Sequence, residues 1–166
     1  RALFFIENYL LTVLIFIIAK LVFMLCNQDG HQFTIGDVLD VVTHGLSLDL
    51  STALYFVILP FLLVFVSIYW YKKKIFINIL RVYYILISIA FTLAFVADTS
   101  LYEFWQFKLD ASCLQYLETP TEAMASVSWG YIAIRVVIFL LVTLLMYKAY
   151  MRTVRRLRTV SPTPSD

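Results

Sequence analysis

The chain has 166 residues, 62% of them hydrophobic and 17% aromatic, with a mean hydropathy of +0.87. Charged residues make up 14%, well under the roughly 25% of soluble domains, which excludes a soluble single-core fold and points to an integral membrane protein. The net charge of +2 decides little, because the distribution of charge along the chain carries the information.

Four runs are long enough to cross a hydrocarbon core of about 30 Å: residues 3–26, 50–71, 75–97 and 129–150. Each is apolar on all faces, as helices bathed in lipid require. The first residue is Arg1 rather than Met, so a native start upstream is expected. The first run is too long for a cleaved signal peptide, and no A-x-A-like site follows it. Pro60, near the middle of the second run, removes one backbone hydrogen bond and predicts a kink there.

The connections sort by charge. Residues 27–49 hold Asp29, Asp37, Asp40 and Asp49 with no Lys or Arg. Residues 98–128 hold Asp98, Glu103, Asp110, Glu118 and Glu122 against Lys108 alone. The second and third runs are joined by Lys72-Lys73-Lys74, and the end of the chain carries Lys148, Arg152, Arg155, Arg156 and Arg158. The positive-inside rule therefore makes both termini and the Lys triplet cytoplasmic, with both acidic connections outside.

The acidic connections carry helix signals of their own. Thr34 is placed to cap a helix over 34–45 with Ile35, Val38, Leu39 and Val42 as its apolar stripe, and Gly45 is placed to end it. Asp49 or Ser47 would then cap the second span. Over 98–128, Asp98 is expected to cap an aromatic helix in which Leu101, Phe104, Trp105 and Lys108 share one face. Asp110 can cap a further turn or two, and Thr119-Pro120-Thr121-Glu122 reads as a capping box. The expected fold is thus an all-α membrane protein of four transmembrane helices with short amphipathic interfacial helices on the outer face. Residues 151–166 form a basic cytoplasmic tail ending in SPTPSD.

Ionisable groups inside a span are functional candidates, because leaving them unpaired in lipid costs several kcal/mol. Glu7 and Lys20 lie in the first span, about 19 Å apart along a helix and so unable to pair. Lys20, Lys108 and Arg135 are the candidates for lipid phosphates, or else for pairing with Asp49 and Asp98; snorkelling to the headgroups is the simpler alternative. Tyr102, Trp105 and Trp129 suit an interfacial aromatic belt. His31 and His44 lack the convergent ligands of a metal site, and His44 reads as a helix-end residue meeting carbonyls. Cys26 and Cys113 fall near the same face, where either a bridge or two buried thiols would fit. No Gly-rich phosphate loop, nucleophile elbow or paired-cysteine motif is present, so no catalytic or metal residue is assigned and nucleic acid is not an expected partner.

Two phrases, His44 to Pro60 (HGLSLDLSTALYFVILP) and Ala97 to Ser126 (ADTSLYEFWQFKLDASCLQYLETPTEAMAS), in their order among the spans, resemble the N-terminal membrane domain of the lipoteichoic acid synthase-like family, in particular its Bacteroides-type members. Asp98, Leu101, Tyr102, Phe104, Trp105, Phe107, Leu109 and Asp110 carry the match. Gln106 stands where the family has a small residue or Gly, and Lys108 where Arg is common. The resemblance implies an anchor in a bacterial cytoplasmic membrane for an extracytoplasmic enzyme of the alkaline phosphatase and sulfatase superfamily. Such an enzyme transfers phosphoglycerol or a related headgroup with a Thr nucleophile and divalent metal (manganese, zinc or magnesium). Its partners would be the bilayer, anionic lipid headgroups and the catalytic domain of the same polypeptide. Four spans leave the C terminus inside, so a fifth span is expected before that domain. A self-standing four-span transporter or scaffold is the alternative, though the chain has one Pro-containing span, no evident internal repeat and few mid-span polar residues, where transporters show repeats or broken spans with polar groups at mid-membrane.

Overall fold

A computed structural model describes residues 2–27, 33–69, 73–105 and 128–159, with side chains over 2–27, 33–66, 75–103 and 128–156. Four helices account for nearly all of them: α1 (Ala2–Cys26), α2 (Ile35–Tyr69), α3 (Lys73–Trp105) and α4 (Trp129–Thr159). All four are long and apolar enough to cross a membrane, and the chain is a multi-pass, all-α membrane protein. α1 packs most extensively on α2 and α3 on α4; α1 also meets α3 and α4, and α2 meets α3.

Inward faces follow a four-residue spacing. Phe4, Asn8, Thr12 and Phe16 are buried along α1, Leu80, Tyr84, Ser88 and Thr92 along α3, and Met146, Tyr150 and Val154 along α4. The outward face of α1 carries Leu3, Ile6, Leu10, Leu14, Ile18, Val22 and Leu25, all exposed. Buried side chains are thus partly polar while the surface is apolar, the reverse of a protein whose solvent is water.

The apolar core has two layers. Phe4, Val64, Leu80, Tyr84, Met146, Tyr150 and Val154 fill one, and Val13, Phe16 and Ala53 centre the other. Fully buried Ala53 lets α1 and α2 approach closely, and Phe16 sits against Phe56 and Phe91 at centroid distances of 5.6 and 5.4 Å.

Pro60 lies inside α2, which continues through it. Its missing N–H leaves the Phe56 carbonyl without its usual helical donor. The Tyr83 hydroxyl of α3 donates to that oxygen at 2.7 Å, as is required where no water can do so.

The sequence-based boundaries need correction at the acidic end. Residues 34–45 are not a separate interfacial helix. Thr34 begins α2 as expected, with the Asp37 carboxylate accepting from the Thr34 N–H at 2.8 Å, but the helix runs on through Gly45 to Tyr69. Gly45 ends nothing, Asp49 caps nothing, and His44 is not at a helix end: its Nδ1 lies 2.9 Å from the Asp40 carbonyl in mid-helix. Likewise Asp98 caps no new helix but lies within α3, which continues to Trp105. The hydroxyls of Thr99 and Ser100 donate back to the Phe95 and Val96 carbonyls at 2.7–3.0 Å, so these polar residues sit in the helix without breaking it. At about 1.5 Å per residue the 35 residues of α2 span about 52 Å, some 20 Å more than the hydrocarbon. The helices turned toward Asp110 and Thr119 lie outside the described residues.

Candidate functional site at the acidic end

Two cation–carboxylate clusters hold the end of the bundle where α1 stops and α2 starts. In the first, Lys20 Nζ of α1 donates to Asp49 Oδ2 of α2 at 2.6 Å. The Asp49 side chain is 7% exposed and that of Lys20 27%, so the pair is largely withdrawn from its surroundings. Gly45, one helical turn before Asp49, makes the approach possible: a Cβ there would overlap Lys20 Nζ and stand 2.9 Å from its Cε.

The second cluster joins α3 and α4. Arg135 Nη2 and the Tyr131 hydroxyl both donate to Glu103 Oε2, the latter at 2.8 Å. Tyr131 and Arg135 are one turn apart on α4, and the guanidinium lies over the Tyr131 ring at 4.8 Å from its centroid, a cation–π contact. Glu103 is half exposed and Arg135 mostly buried. Of the five guanidinium donors, those not turned to Glu103 have no hydrogen-bond partner among the described residues. Ser128 caps α4 below this cluster, accepting from the Tyr131 N–H at 3.3 Å. Trp129 stands beside it, 80% exposed.

The candidates therefore separate. Lys20 meets Asp49, one of the acids expected for it; Arg135 meets Glu103, which the sequence reading placed on a separate flat helix, rather than Asp98 or Asp49. Asp98 is half-buried within α3. Tyr102 packs edge-on against Phe23 at 5.3 Å. Lys108, Asp110 and Cys113 lie outside the described residues, as does the side chain of Trp105. Cys26 carries an exposed free thiol.

A polar network deeper in the bundle was missed. The Tyr84 hydroxyl donates to Asn8 Oδ1 at 2.9 Å, Thr153 Oγ1 approaches the same oxygen at 3.3 Å, and Asn8 Nδ2 donates to the Phe4 carbonyl at 2.8 Å. Thr12 donates to the Asn8 carbonyl and lies 2.9 Å from the Tyr150 hydroxyl, which must then be the donor. The Tyr84 and Tyr150 rings stack at 4.6 Å. The narrow crevice between these residues has no room for a water molecule. Its work is to join α1, α3 and α4.

Comparison with protein-family models, with curated proteins and with solved structures finds no match to this chain. Among the described residues no three His, Cys, Asp or Glu side chains converge to hold a metal ion.

Proposed function

We propose that this bundle is the membrane-anchoring and lipid-headgroup-positioning domain of a phosphoglycerol transferase-like enzyme of the sulfatase superfamily, acting on phospholipid or cell-envelope glycan. The observation that carries the reading is the Glu103–Arg135–Tyr131 cluster. It presents at the rim of the bundle a guanidinium whose remaining donors have no hydrogen-bond partner among the described residues, and guanidinium geometry suits two phosphate oxygens at once. Glu103 and Tyr131 hold that guanidinium in place before any headgroup arrives, which is how a positioning group contributes to rate. The helical extensions of α2 and α3 rise at the same end, and α3 leads there into the segment most like the family. Catalysis would reside in a domain beyond this bundle.

Sequencing the gene past the codon for Asp166 tests the class. A fifth apolar span followed by an α/β domain of roughly 300 residues, larger than a typical domain, is the expected result. A stop codon immediately after Asp166 would overturn it in favour of a self-standing scaffold.

A further inference from the structure

We propose that Lys148, Arg152 and Arg155 of α4 form a binding ridge for anionic phospholipid headgroups at the end of the bundle opposite Arg135. The three follow at i, i+4 and i+7 and share one helical face, and all are exposed. The same stripe begins with Leu141 and Leu145, exposed at 54% and 58%. One continuous face thus passes from apolar to basic, as a phospholipid passes from acyl chain to phosphate. A soluble acidic partner would have no use for the apolar half.

The ridge is held rigid from behind. On the other side of α4, Tyr150 and Val154 are each 1% exposed in the core, and the helix continues unbroken to Thr159. Lys148 to Arg155 spans about 10 Å along the axis, comparable with the depth of one headgroup layer, and long basic side chains can reach outward to it.

Charge at this end is one-sided. α3 contributes Arg81, and the carboxylate found here among the described residues is Glu7, which Arg156 Nη1 engages at 2.7 Å. None of Lys148, Arg152 and Arg155 has a carboxylate partner among the described residues. Clusters of basic residues beside a span attract anionic lipid in this way.

The test is native mass spectrometry of the full chain in detergent with equimolar dioleoyl phosphatidylglycerol and dioleoyl phosphatidylcholine. The wild type should retain phosphatidylglycerol preferentially, with the preference falling as salt rises. Lys148→Gln/Arg152→Gln/Arg155→Gln should reduce the ratio at least about tenfold, and Arg152→Gln alone, milder for folding, by a smaller step in the same direction. No preference in the wild type, or an unchanged ratio in both variants, would overturn the proposal. The ridge is at the other end from the proposed headgroup-positioning site, and either can fail alone.

Discussion

Gly45 and Lys20 belong to different helices, and the missing side chain of one makes room for the ammonium of the other. Removing one partner of a buried ion pair costs about 3–5 kcal/mol. Lys20 keeps 27% of its exposure, so Asp49→Leu should cost less, about 1–2 kcal/mol. Lys20→Met/Asp49→Leu should recover most of that loss in a reversible unfolding assay. If the double variant is as unstable as Asp49→Leu, the pair is not what is lost. Gly45→Ala should change stability by under about 1 kcal/mol, since higher helix propensity offsets the displaced lysine. A second residue-scale test concerns Pro60. Tyr83→Phe should cost about 0.5–1.5 kcal/mol with Pro60 present. In a Pro60→Ala background, where the residue-60 N–H again serves the Phe56 carbonyl, it should cost much less. Equal costs in the two backgrounds would separate Tyr83 from the proline.

The elements explain what could be read from the sequence and what could not. The ends of α1 and the start of α4 were legible because an apolar run meets a polar stretch at each. The acidic ends of α2 and α3 were not, because Gly45 and the Asp98-Thr99-Ser100 triplet look like stop signals. Here Gly45 serves a neighbouring helix, and Thr99 and Ser100 turn their hydroxyls back onto α3. That misplacement hid the Glu103–Arg135 pair, since a flat helix would carry Glu103 away from α4. A signal for the polar network did exist. Phe4, Asn8, Thr12, Phe16 and Lys20 recur every fourth residue opposite the leucine stripe of α1, so polar residues share one face that must turn from lipid. α4 buries little of itself, and hydrogen bonds and ion pairs near both of its ends supplement its packing: Glu103 with Tyr131 and Arg135, Thr12 with Tyr150, and Glu7 with Arg156.

At the scale of the molecule, buried polar side chains within an apolar surface make lipid the natural surroundings of the bundle, and charge divides its two ends. Carboxylates gather where α2 begins and cations where α4 finishes, and the proposed function requires the first end to be outside, as the positive-inside rule expects. In a background free of native cysteines, Leu39→Cys on the exposed start of α2 should react with a membrane-impermeant maleimide in intact cells. Arg155→Cys should react only after lysis. The reverse pattern would put the candidate site in the cytoplasm and end the proposed function.

Lipid positioning by Arg135 is tested most directly in the full-length protein, by comparing turnover of a phospholipid headgroup donor with hydrolysis of a soluble phosphodiester. Arg135→Ala should lower the first about tenfold or more and leave the second within about twofold, because misplacing a substrate by about 1 Å is costly only where the bundle does the placing. Unchanged lipid turnover, or an equal loss of both activities, would contradict it.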